Sequence, residues 1–179
     1  MLLQLANQEL KSPACIEARH RYFLKTIKGL NSGDIGSIGE GWFQRLYRVD
    51  GNQTQVFVSQ SEMAKQGITL TQDRKVDEIY GDTIREQKTV SGVLVDSQNS
   101  DAARQFNDNV TLVEQGARIT AKNGQVYQVR NLVYVFPVPE GVRANANWMR
   151  VQLRDRPYLS FEIFNTRGEC KIVSLNNIQ

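Results

Sequence analysis

The spacing of apolar positions changes period several times along the chain, and each change marks an element. Ile16, Phe23, Leu24 and Ile27 recur at near-helical intervals. With Ser12 able to cap and Pro13 suited to a first helical position, they predict a helix that ends before Gly29. Ile35, Ile38, Trp42, Phe43, Leu46 and Tyr47 repeat every three or four residues and predict a second helix over 34–48, despite Gly36, Gly39 and Gly41. After the turn signal Asp50-Gly51, residues 53–59 alternate as a short strand, with Val56 and Val58 on one side. The polar stretch SEMAKQGITLTQDR then reads as a connection.

Farther on, 75–80 and 83–90 flank Gly81-Asp82, and glycine at the first loop position suits the type II′ turn of a β-hairpin. Ser100 or Asp101 caps a helix running to Gln115, and Asn123-Gly124 joins a second hairpin of 118–120 and 125–129. Residues 132–138 are almost continuously apolar, as a central strand buried on both faces would be, and Pro137 and Pro139 close it. A helix over 145–153 and a strand pair of 158–164 and 169–174 complete the prediction. No internal repeat is present.

The 179 residues suffice for one domain, or one domain with an arm, and divide here into a helical arm or linker, 1–33, and a domain, 34–179. No apolar run approaches the roughly 20 residues of a membrane helix, so no span is expected. The start MLLQLANQELKSP lacks a basic segment leading into a sustained apolar one, so no cleavable signal is expected, although the chain could be a piece of a larger exported protein. Cys15, Cys170 and a single histidine, His20, exclude a structural zinc cluster and leave carboxylates, lysines and amides as the available chemistry. A net charge of +3 permits a polyanionic partner without demanding one.

The Gly81-Asp82 turn fixes a register that pairs Tyr80 with Thr83, Ile79 with Ile84, Glu78 with Arg85, and Asp77 with Glu86. Alternation then places Asp77, Glu86 and Lys88 on one face with Ile79, Ile84 and Val90, while Glu78, Arg85 and Gln87 point the other way. Two carboxylates facing each other on a half-apolar surface repel and are costly to desolvate. A magnesium ion would offset that cost, since it takes one or two carboxylates with waters and phosphate oxygens and needs neither histidine nor cysteine. Lys88 would stand beside the ion, where it could orient or help deprotonate a bound water, as metal-assisted phosphodiester hydrolysis requires.

These residues carry a family resemblance. Glu40 in the helical IGEGWFQRLYR, the acid of RKVDEIYG, Glu86-Gln87-Lys88 in TIREQKTV and Gln105 in the helical DAARQFND together resemble the PD-(D/E)xK nuclease superfamily. More narrowly, they resemble C-terminal toxin domains of polymorphic bacterial toxins of the contact-dependent growth inhibition type. The match runs from Asp34 to Val138, with no proline before the strand acid and with Glu78 adjacent to Asp77 as a competitor for its role. The resemblance implies an α/β, restriction-endonuclease-like mixed sheet flanked by helices, with an αβββαβ core. It implies Mg2+ or Mn2+ held by Asp77, Glu86, the carbonyl of Gln87 and Glu40, with Lys88 as the catalytic lysine and Gln105 near the scissile phosphate. It also implies a DNA or tRNA substrate, a cognate immunity protein, and delivery in a larger secreted toxin that acts in the target-cell cytoplasm.

Other readings stand beside it. Glu-x-Lys recurs at Glu169-Cys170-Lys171, where a Thr166-Arg167 turn would put Glu169 opposite Phe164 rather than an acid. Trp42, Phe43 and Tyr47 read as core, and Arg143, Arg150, Arg154 and Arg156 as a loose basic cluster. The alternative function is a non-catalytic nucleic-acid- or protein-binding module of a phage or mobile element.

Overall fold

The computed structural model describes residues 13–47, 51–95, 97 and 100–177. Ser12, Arg48 and Asp50, invoked above as cap, helix end and turn, lie outside them. Helix α1 (Pro13–Ile27) and helix α2 (Ser32–Tyr47) lead into strand β1 (Thr54–Val58), helix α3 (Gln60–Ala64), and strands β2 (Arg74–Tyr80) and β3 (Thr83–Gln87). Helix α4 (Asp101–Glu114), the small hairpin β4 (Arg118–Thr120) and β5 (Val126–Gln128), and strand β6 (Asn131–Phe136) follow. Helix α5 (Pro139–Leu153) and strands β7 (Leu159–Phe164) and β8 (Cys170–Ser174) complete the series, with a 3-10 turn at Leu175–Asn177.

The six-stranded sheet has the order β1-β2-β3-β6-β7-β8. β1, β2 and β3 form an antiparallel meander, β6 runs parallel to both β3 and β7, and β8 returns antiparallel. The protein is therefore mixed α/β, with helices on both faces of a mixed sheet. The near-continuous apolar run in β6 follows from this, since alternate residues enter two cores. Leu132, Tyr134 and Phe136 join Phe106, Met149 and Phe161 on one side, while Val135 joins Phe23, Trp42, Phe43 and Phe164 on the other. The described part of the predicted arm, α1, is thus packed onto the sheet, and His20 is fully buried there, stacked on Phe164 with a centroid separation of 4.8 Å. Among the described residues no helix is long and apolar enough to cross a membrane.

Three predictions are corrected. The polar connection after β1 contains α3, capped by the Ser59 side chain accepting from the Glu62 amide, and it buries Met63, Ile68 and Leu70. The last helix begins at Pro139, six residues before the predicted start at Asn145, because the proline that ends β6 also occupies the first helical turn. In the final strand pair Phe164 lies opposite Cys170, not Glu169. Gly168 adopts φ +88° and adds a residue to the loop, which shifts the register by one.

Candidate active site

The Gly81-Asp82 turn forms as the sequence requires: Gly81 has φ +59° and the pairs Tyr80↔Thr83, Ile79↔Ile84 and Glu78↔Arg85 follow. The expected Asp77–Glu86 rung does not. Backbone pairing between β2 and β3 stops at Glu78↔Arg85, while β3 continues along β6 through Glu86↔Tyr134 and Gln87↔Val135. The Lys88 amide still reaches the Val135 carbonyl at 2.8 Å, although the strand predicted to reach Val90 ends at Gln87. The hairpin therefore opens at the two acids. In place of a backbone carbonyl, the Asp77 carboxylate accepts the Gln87 N–H at 2.8 Å. Because N–H and C=O of an extended residue point to the same side, the Gln87 carbonyl faces the same opening.

Asp77 is the acid that faces this opening. Its neighbour Glu78 is buried on the other face, where it accepts from Arg85 at 3.0 Å, and Arg85 also lies 3.7 Å from Glu162. Burial raises the Asp77 pKa to about 6, helped by the charges of Glu86 and Glu40 and opposed by Lys88 and the Gln87 amide. Glu86 is 2% exposed and lies between two cations: Lys88 donates to Oε2 at 3.0 Å, and Arg74 stands 3.6 Å from Oε1. Oε1 itself is buried without a hydrogen-bond partner. Burial alone would lower the Lys88 pKa, but the charges of Glu86 and Asp77 and the hydrogen bond to Glu86 outweigh it and hold the ammonium protonated. Lys88 also donates to the Gln105 side-chain oxygen at 3.4 Å and sits 5.7 Å from the Tyr134 ring centroid.

Glu40 is presented by a close approach. A Cβ on Gly39 would collide with the side chains of Thr89 and Gln87, so the glycine that weakened the helix prediction is what lets α2 settle against the end of β3. The next residue, Glu40, is exposed and near enough for its charge to raise the Asp77 pKa. The structure thus brings Glu40, Asp77, Glu86, Gln87, Lys88 and Gln105 to one mouth, where α2, the open hairpin and α4 meet. The other Glu-x-Lys is solvated, with Glu169 and Lys171 exposed and Glu169 accepting from Asn165 at 2.5 Å.

Two participants escaped the sequence. Arg74 is 2% exposed, and besides flanking Glu86 it donates to the Gln105 backbone carbonyl at 2.7 Å, tying α4 to the hairpin. Gln55 donates through Nε2 to Asp77 Oδ1 at 3.0 Å. Neither has a local signature, because each acts on a partner brought close only by strand pairing or helix packing.

Among the described residues no three His, Cys, Asp or Glu side chains form a ready-made metal cage. The donors at the mouth nevertheless suit a hard cation that keeps several waters: the Asp77 carboxylate, the Glu86 carboxylate whose charge Asp77 feels and whose Oε1 accepts no hydrogen bond although Arg74 stands 3.6 Å away, and a strand-end carbonyl. In comparisons with known proteins, no protein-family model, curated protein or solved structure matches this chain.

Proposed function

We propose that the protein is a Mg2+- or Mn2+-dependent endonuclease that hydrolyses phosphodiester bonds of DNA or tRNA. The observation that carries this reading is the opening of the hairpin at Asp77 and Glu86, with protonated Lys88 anchored beside them by Glu86 and Gln105. The sequence of elements supports it as well. A helix bearing Glu40, a three-stranded meander interrupted by α3, a helix bearing Gln105 and, after the β4–β5 hairpin, a strand parallel to β3 are compatible with the order implied by the PD-(D/E)xK resemblance.

In this reading Asp77, Glu86, the Gln87 carbonyl and Glu40 hold the cation, which supplies Lewis acidity and a more acidic water. The chain's own groups do the rest. The Gln87 N–H fixes the Asp77 carboxylate, and the Gln105 amide holds the Lys88 ammonium. Because Lys88 is protonated, it donates a hydrogen bond to the attacking water or a phosphate oxygen and stabilises the charge that develops there. An effector role in a polymorphic toxin, with delivery into a target cell and neutralisation by an immunity protein, is part of the same proposal and rests on the resemblance.

The runner-up is a non-catalytic binding module. It draws on the Arg74–Glu86–Lys88 cluster, in which one carboxylate is compensated by two cations without any ion. Expression in bacteria separates the two. A nuclease arrests growth and degrades host DNA or tRNA, and Glu86→Gln relieves both, whereas a binding module leaves nucleic acid intact in wild type and variant alike.

A further inference from the structure

Gln55 is the one non-glycine with positive φ among the described residues, at +49°. That left-handed conformation is disfavoured for any residue carrying a Cβ, and here it lies inside a strand. No inserted residue requires it. β1 pairs with β2 as Thr54↔Glu78 on one side and Val56↔Val76 on the other, so the register is the same across the gap and only Gln55 and Asp77 fail to pair. The alternation of β2 breaks at the same place. Val76 and Ile79, three positions apart and so on opposite faces of a regular strand, enter one core cluster, while Glu78 between them turns to Arg85.

Beyond this change of face, the irregularity has a second product. It brings the Gln55 amide to Asp77 Oδ1 at 3.0 Å, opposite the Gln87 N–H that holds Oδ2 at 2.8 Å. From this geometry we infer that Gln55 is a positioning residue, whose strained backbone aims its amide so that two donors fix the orientation in which Asp77 meets a divalent cation. The inference rests on the metal-dependent reading above. Strain retained beside a functional carboxylate is the kind of local cost that selection for stability alone would remove.

The test compares wild type with Gln55→Ala and Gln55→Gly by thermal unfolding, without metal and across a Mn2+ titration. Both variants lose the amide, but only Gln55→Gly relieves the backbone, so it should melt roughly 2–4 °C above Gln55→Ala. Both should bind Mn2+ roughly tenfold more weakly than wild type, as loss of a ligand-orienting hydrogen bond does. Affinity then follows the amide and not the stability. Wild-type affinity in either variant, or affinity that recovers together with stability in Gln55→Gly, overturns the positioning role. Absence of any Mn2+ shift in wild type overturns the metal reading itself, and this role with it. Should Gln55→Ala fail to fold, Gln55→Asn serves instead, since asparagine tolerates the left-handed region but is one methylene too short to reach.

Discussion

Replacing Arg74 by methionine removes a cation from the centre of the site while retaining an unbranched apolar stem. Arg74 and Glu86 are each 2% exposed, and breaking a buried pair of this kind typically costs about 3–5 kcal/mol because the remaining charge is stranded. Here Glu86 keeps Lys88 at 3.0 Å, which places the loss near the lower end, at about 3 kcal/mol, including the hydrogen bond to the Gln105 carbonyl. For a chain of this size that corresponds to a fall in Tm of roughly 6–12 °C. Mn2+ should recover part of it, since an ion held by Asp77 and Glu86 supplies positive charge to the carboxylate that has lost the guanidinium. At about ten times its Kd, mass action returns about 1.4 kcal/mol. The assay is thermal denaturation followed by circular dichroism, with and without Mn2+. A fall of less than about 3 °C, or a Mn2+ shift smaller in the variant than in wild type, refutes the reasoning.

Three further outcomes are expected. Asp77→Asn should stabilise the metal-free protein at pH 8 by up to about 3 kcal/mol, because a carboxyl held at about 6 rather than 3.8 destabilises the fold wherever it must ionise. The native state gains relative stability as pH falls through 6, so this advantage of Asp77→Asn should disappear by about pH 4 in denaturant titrations. Burial lowers the His20 pKa despite its bond to the Pro137 carbonyl. The unfolded chain therefore takes up this proton first, stability is lost as pH falls below about 6.5, and His20→Phe should flatten that part of the profile. Gly141→Ala should destabilise by about 2 kcal/mol, although alanine ordinarily favours a helix interior, because its Cβ would collide with the Val90 backbone carbonyl; chemical denaturation measures the sign.

Most of the fold was legible wherever an element carried its own punctuation. Gly81-Asp82, Asn123-Gly124, Ser100 and Pro137 each set a boundary that local backbone chemistry enforces, and β6 announced its central place by having no polar face. The errors lie where a residue serves two elements or where pairing overrides alternation. Pro139 ends one element and starts the next, and Gly168 moves a register that only the loop geometry sets. At the site, strand alternation picked out residues that the fold does bring together, but not their arrangement. Backbone pairing between β2 and β3 stops just where the acids would have faced each other, because the Asp77 carboxylate takes the Gln87 N–H, and that side-chain bond is invisible to alternation alone. Gly39 was legible as a weakness of its helix, and its use as the contact that delivers Glu40 required the packed partner, Thr89, to be known.

The proposed activity is metal-dependent phosphodiester hydrolysis by Asp77, Glu86 and Lys88. It is tested most directly by incubating purified protein with supercoiled plasmid and, separately, with total tRNA, each with Mg2+, with Mn2+ and with chelator, alongside Lys88→Ala. The expected result is cleavage of one substrate that requires the metal and falls by at least about a hundredfold in a folded Lys88→Ala. Intact plasmid and tRNA with either metal, or undiminished cleavage by Lys88→Ala, contradict it.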